Sequence, residues 1–117
     1  MSKHKQIVER YIDGYRRRDS GQILSCLTDD VVWALHGYAT LHGKAAFAAE
    51  LQHDDPGAAA PRITLDRLVE EGDTVAVMGH GDMPKQGGGR QQFVFSELFT
   101  FAGDAISRLD TFHIDLR

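Results

Sequence analysis

Alternation of apolar and polar positions is clearest from Arg90 to Arg117, RQQFVFSELFTFAGDAISRLDTFHIDLR. It predicts two long antiparallel strands joined by a tight turn at Ala102-Gly103-Asp104-Ala105. The first of these strands is rich in β-formers and aromatics: Phe93, Val94, Phe95, Leu98, Phe99, Thr100 and Phe101. Side chains alternate across a strand, so Phe93, Phe95, Phe99 and Phe101 share one face, and Glu97 falls on it too. Burying an ionised carboxylate without a partner is expensive. Glu97 is therefore solvated on an outward face, paired with an arginine such as Arg108, or buried and functional.

Upstream the apolar period changes to that of helices. Ile7, Val8, Tyr11, Ile12 and Tyr15 form one stripe and predict a helix from Ser2 to about Arg18. On it, Tyr11 and Tyr15 stand one turn apart, as core aromatics do. Asp19 with Gln22 resembles a capping box for a short second helix, Ser20 to Cys26. Thr28-Asp29-Asp30 ends that helix, and Val31 to Leu35 reads as a strand broken by His36-Gly37-Tyr38. Leu41-His42-Gly43 leads into a third helix, Lys44 to about His53, with Phe47 and Leu51 on one face. Asp54 to Pro61 reads as a turn-rich surface loop. Then come strands at Arg62 to Val69 and Thr74 to Gly81, a loose connection at Met83 to Arg90, and the final hairpin. The order is ααβαββββ. Helices followed by a run of strands predict an α+β domain with the helices on one face of a curved sheet.

The chain's 117 residues suit one domain, 1–117. A composition of 42% hydrophobic and 26% charged residues is that of a globular protein. The net charge of −4 and the lack of any basic block beyond Arg16-Arg17-Arg18 argue against a nucleic-acid partner. No apolar stretch is long enough to span a bilayer, and the N-terminal residues show no signal-peptide pattern. The single Cys26, in an apolar run, reads as a buried free thiol, which fits a reducing, cytoplasmic compartment. The histidines show no HExxH or paired Cys/His spacing, so no metal site is predicted.

The run IVERYIDGYRRRDSGQILSCLTDDVVW, the later LHGKAAF and the closing FTFAGDAISRL resemble the ketosteroid isomerase and SnoaL-like families. Together they span nearly the whole chain in the family's order. The resemblance implies the cone-shaped α+β fold of the nuclear-transport-factor-2-like superfamily: a curved antiparallel, in part mixed, sheet around three N-terminal helices, with one apolar pocket. Arg10-Tyr11 matches the isomerases' first-helix tyrosine, and Glu97 stands where they place a protonated aspartate. In the isomerases these two groups form an oxyanion hole. The isomerases' general base corresponds to Leu35 here, so the resemblance does not carry steroid isomerisation over.

The resemblance also turns Trp33, Leu35, Val75, Val77, Gly79, Leu109, Thr111 and His113 toward the pocket, and Arg108, Asp110 and Phe112 away. Tyr15, Phe47, Phe95 and Phe99 join the expected ligand-binding wall. His113 becomes the remaining proton acceptor, acting alone or as a dyad with Glu97; His36 and His42 rank below it. Two functions follow. One is a cofactor-free enzyme of the isomerase, polyketide-cyclase or dehydratase type, acting on a hydrophobic carbonyl compound through Tyr11, Glu97 and His113. The other is a non-catalytic ligand-binding or dimerisation module. A homodimer is expected from the resemblance alone.

Overall fold

The computed structural model describes residues 2–51, 60–85 and 87–117. Two helices come first, α1 (Lys3–Arg16) and α2 (Ser20–Leu24). Strand β1 (Leu27–Leu35), a short β2 (Ala39–His42) and helix α3 (Lys44–Leu51) follow. Four long strands complete the chain: β3 (Arg62–Glu71), β4 (Thr74–Pro84), β5 (Arg90–Ala102) and β6 (Ala105–Asp115). The strands form one curved mixed sheet in the order β2-β1-β6-β5-β4-β3, in which β1 and β6 run parallel. This is the expected α+β arrangement, with helices gathered on one face of the sheet. No helix among the described residues is long and apolar enough to cross a membrane.

Capping sets the helix boundaries. The Ser2 hydroxyl accepts from the Lys5 N–H and caps α1, and Asp19 accepts from the Gln22 N–H and caps α2. Gln22 does not close the reciprocal half of the box; its amide reaches across to the Arg10 carbonyl at 2.9 Å instead. Helix α1 is fastened at both ends. Its start is held through Ser2 to Glu70 and through His4, which stacks on Phe101 at 4.1 Å, and its end by Arg16 Nε donating to the Ile63 carbonyl at 3.0 Å.

Several boundaries differ from expectation. Thr28-Asp29-Asp30 lies inside β1 rather than ending a helix: Leu27 and Val32 on either side both pair with β6, and Asp29 and Asp30, in the irregular stretch between them, are exposed. Residues 39–42, read as a lead into the third helix, form β2 and pair antiparallel with residues 32–35. Strands β3 and β4 each run beyond their predicted ends because they pair over nearly their whole length, from Arg62↔Asp82 to Glu71↔Thr74. The third helix is described to Leu51; its predicted last residues, and the predicted loop as far as residue 59, lie outside the described residues.

The final hairpin turns at Gly103-Asp104, where Gly103 takes a φ of 62°, and Ala102 pairs with Ala105. The alternation on β5 is complete: Phe93, Phe95, Glu97, Phe99 and Phe101 are buried while Val94 and Leu98 face out. This inner face packs on Val8, Tyr11 and Ile12 of α1 and on Phe47 of α3.

Two glycines on the neighbouring strand let the phenylalanine rings lie flat against the sheet. A Cβ on Gly79 would stand 2.6 Å from the Phe95 ring and 2.6 Å from the Thr64 carbonyl oxygen. One on Gly81 would stand 2.0 Å from the Arg62 carbonyl oxygen. Overpacking of this kind costs about 1–3 kcal/mol. Gly79→Ala should lower the urea midpoint by that equivalent and push the Phe95 ring inward. An unchanged midpoint would show that the sheet absorbs the methyl group.

Candidate active site

Between α1 and the inner face of the sheet lies an apolar cavity of about 260 Å³. Helix α1 supplies Ile12 and Tyr15, which are three residues apart and so share a helix face. Trp33 and Leu35 come from β1, and Ile63 and Met83 from β3 and β4. The remaining wall is Phe93, Phe95 and Glu97 on β5, with Thr111 and His113 on β6. A second, more polar cavity of about 330 Å³ adjoins it, lined by His36, Gly37, Tyr38 and Glu50. The two share Trp33, Leu35, Thr111 and His113 as a common wall.

Glu97 is 7% exposed, the only buried charged side chain among the described residues. Neither of the bland alternatives holds. It does not face water, and Arg108 is held on the outer face by Asp110 at 3.0 and 3.1 Å. Strand register places Glu97 opposite Thr111. The Thr111 hydroxyl donates to Glu97 Oε2 at 2.7 Å and accepts from Trp33 Nε1–H at 2.9 Å. The indole is itself fixed by stacking on Phe47 at 4.0 Å. Burial pushes the Glu97 carboxyl from an ordinary value of 4.5 up to about 7, against the opposing pull of the Thr111 hydrogen bond. Among the described residues, Thr28 Oγ1 is the only fully enclosed side-chain polar atom without a partner, so Glu97 Oε1, which has none, opens onto the cavity.

The other expected site residues divide into two layers. Tyr15, Trp33, Leu35, Phe95 and His113 line the cavity with Glu97. Tyr11, Phe47, Val77, Phe99 and Leu109 do not; each has zero exposure and forms the packed layer behind the wall. The reason is depth: these side chains meet helices α1 and α3 directly, as Tyr11 does edge-on against Phe47 and Phe99. Tyr11 therefore forms no direct oxyanion pair with Glu97. Its hydroxyl shares a 2.9 Å hydrogen bond with that of Tyr15, and burial pushes its phenol well above the ordinary value, so it stays neutral.

The expected Glu97–His113 dyad is not formed. His113 stands opposite Phe95, diagonal to Glu97, with its ring on Phe93 and its Nε2 on Asp115 Oδ1 at 2.9 Å. It reaches the cavity at the rim. His36 binds Asp110 at 3.0 Å and stacks on Phe112, and His42 is exposed, so neither lines the apolar cavity. Asp110, turned away from the cavity, is held between Arg108 and His36, and Arg108 keeps its carboxyl below the ordinary range. Among the described residues, no group of three or more His, Cys, Asp or Glu side chains could hold a metal ion.

Sequence reasoning missed Ile12, Ile63, Met83 and Phe93 as wall residues, and missed the part played by Thr111. Alternation along each strand carried the signal for Ile63 and Phe93. The Thr111 contact needed the register of β5 on β6, which alternation alone does not fix.

The sequence profile of SnoaL-like domains matches residues 8–109, most of the chain. The chain belongs to the SnoaL-like domain family. Solved structures that share the fold of this SnoaL-like chain include the following three. An NTF2-like protein of unknown function from Burkholderia pseudomallei has a TM-score of 0.88 at 23% identity, with 97% of this chain and 92% of that one covered. TerC, crystallised with polyporic acid, gives 0.85 at 23% identity, with 97% and 92% covered. An LEH-like epoxide hydrolase of M. tuberculosis gives 0.83 at 19% identity, with 96% and 83% covered. At these identities the likeness is one of fold. Among curated proteins, none matches the chain significantly in sequence.

Glu97 also links stability to pH. Between pH 4.5 and about 7 the folded SnoaL-like domain keeps a proton on Glu97 that the unfolded chain releases. Its contribution to stability therefore falls as pH rises through that window, by about 3 kcal/mol in all, and is level above it. Glu97→Gln, which keeps an acceptor for Thr111, should lack this component. Urea unfolding of both proteins at pH 5 and pH 8.5 should show the variant gaining on the wild type by about that amount. A constant difference would mean that Glu97 titrates normally.

Proposed function

We propose that this SnoaL-like protein binds a small hydrophobic carbonyl compound and moves a proton on it, with Glu97 as the general acid and base. One observation carries the reading: Glu97, the one buried carboxyl among the described residues, opens onto the apolar cavity and titrates at about 7. A catalytic group is most effective when its pKa lies near the working pH, because both protonation states are then available. In the ionised form Glu97 takes a proton from the carbon beside the carbonyl, and the C–H electron pair becomes the enolate. In the protonated form it returns that proton to the same or a conjugated carbon, which gives exchange or isomerisation, or delivers it to a β-hydroxyl, whose C–O bond breaks as the enolate pair forms the C=C bond and water leaves, which gives dehydration. None of these steps calls for a cofactor.

The shape of the site supports a ligand class. The inner cavity, about 260 Å³, lies below the ~300–1,000 Å³ common for ligand pockets, and suits one or two rings better than four. The adjoining polar cavity would take a substituent bearing hydroxyl or amine donors toward Glu50. His113, at the shared wall, is placed to meet the ligand as a second proton donor or acceptor, and Tyr15 lies across the cavity, backed by Tyr11.

A second reading, binding without chemistry, is favoured by Leu35: it places an inert side chain on the wall at the position where the isomerases hold their base. Homodimerisation is part of either reading, supported by Met78, Leu98, Phe112 and Ile114 exposed together on the outer sheet face. The buried free thiol of Cys26 fits a reducing, cytoplasmic setting.

The test is α-proton exchange of a two-ring enolisable ketone, 2-tetralone, followed by deuterium uptake. The expected rate rises with pH through about 7, and Glu97→Gln lowers it by about 10²-fold or more with little change in KM. Saturable binding of 2-tetralone, read from quenching of Trp33, with no exchange above buffer would establish the binding reading instead.

A further inference from the structure

We propose that Thr111 is a positioning residue that, together with Trp33, decides which oxygen of Glu97 carries the exchangeable proton. The inference deepens the proton-transfer reading and rests on it for its catalytic meaning. It starts from the donor inventory. An indole nitrogen only donates, so the 2.9 Å contact from Trp33 Nε1 makes Thr111 Oγ1 an acceptor there. A hydroxyl has one hydrogen. Of its two acceptor lone pairs the indole takes one, which makes the hydroxyl the stronger donor, and its hydrogen meets Glu97 Oε2, 2.7 Å away. Oε2 is therefore an acceptor whether Glu97 is ionised or neutral, and the proton of the neutral acid resides on Oε1.

Oε1 is the oxygen that opens onto the cavity. The relay thus presents one atom to the ligand, which accepts a proton when Glu97 is ionised and donates one when it is neutral. Without the relay the proton of the neutral acid would be shared between both oxygens, and half of it would face Thr111. The backbone fixes Thr111 on both sides: it pairs with Glu97 across β5 and with Leu35 across β1, and its carbonyl accepts from the His36 N–H at 3.0 Å. The hydroxyl cannot turn away without breaking both side-chain bonds.

Among the described residues, few other titratable groups face Glu97. From α1 come Tyr11, kept neutral by burial, and Tyr15; from β6 comes His113 at the rim. The facing residue of β4 is Val77, and β1 presents Trp33 and Leu35. Histidine titrates in the same range as the Glu97 carboxyl, so the test is made in a His113→Gln background.

The experiment reads the carboxyl itself and needs no substrate. Infrared difference spectra of the acid and base forms give the C=O stretch of neutral Glu97 and its titration midpoint, with Glu97→Gln identifying the band. In the reference protein the C=O stretch should be lowered by the accepted hydrogen bond and the midpoint should lie near 7. Thr111→Val should raise the C=O stretch and raise the proton affinity of Glu97 about tenfold, moving the midpoint up by about one pH unit, because a bond to the charged form is lost. Thr111→Ser should restore both. Trp33→Phe, which removes the indole's bias toward donation by the Thr111 hydroxyl, should split the C=O band into bonded and unbonded components.

An unmoved C=O stretch in Thr111→Val would place the proton on Oε2 and overturn the proposal. So would a single unsplit band in Trp33→Phe, which serves as the decisive variant if Thr111→Val does not fold. Should the infrared results hold while 2-tetralone shows no exchange, the positioning stands and the catalytic reading fails.

Discussion

A carboxyl group in a row of phenylalanines governs this structure. Glu97 shares the inner face of β5 with Phe93, Phe95, Phe99 and Phe101, and α1 closes over that face. Water is removed from an ionisable group that the surrounding apolar side chains cannot solvate. The fold answers with a single neutral hydrogen bond, from Thr111. An arginine partner would hold Glu97 ionised at every physiological pH. A hydroxyl donor stabilises the anion only partly, and the group is left balanced between its two states.

The balance is expensive on the scale of a small domain. Net stabilities of such domains are about 5–15 kcal/mol, so a deficit of about 3 kcal/mol above neutral pH is a substantial fraction. A leucine at this position would match the rest of the face and remove the deficit. Structural explanations for a buried carboxylate usually invoke a charge partner or a saturated hydrogen-bond network. Glu97 has neither: one oxygen is bonded and the other opens onto a cavity. That combination is what proton transfer requires and what a core of this kind would otherwise exclude.

The chemical face of the protein was legible in the residues because strands have a period of two. Alternation alone placed Glu97 among the phenylalanines, and resemblance then turned that face inward. Depth was not legible. Tyr11, Phe47, Val77, Phe99 and Leu109 all point inward as expected, yet they lie behind the cavity wall, because alternation reports direction and carries no information on how far a helix presses into the sheet. Register was equally hidden. A histidine two residues from Thr111 on the same face looks the stronger partner for a carboxylate, and only the pairing of Glu97 with Thr111 across the hairpin sets it aside. Short local signals misled in the opposite sense. Thr28-Asp29-Asp30 has turn chemistry, but it lies inside β1, in the irregular stretch between Leu27 and Val32, both of which pair with β6.

The parallel pair of β1 with β6 is what makes the relay possible. In this sheet every other neighbour is antiparallel. Trp33 lies opposite Leu109 and Leu35 opposite Thr111, so the indole sits one inward position behind the hydroxyl it donates to. That offset lets a long side chain lean along the strand to Thr111, while the hydroxyl reaches across to β5 in the other direction. The two strands of one hairpin and a third from early in the chain thus converge on one oxygen of one carboxylate. Phe47 on α3 holds the indole plane from below. The dependence of the site on register, rather than on any contiguous motif, explains how a chain can retain the family architecture, place a leucine where isomerases keep their base, and still present a poised carboxyl to its cavity.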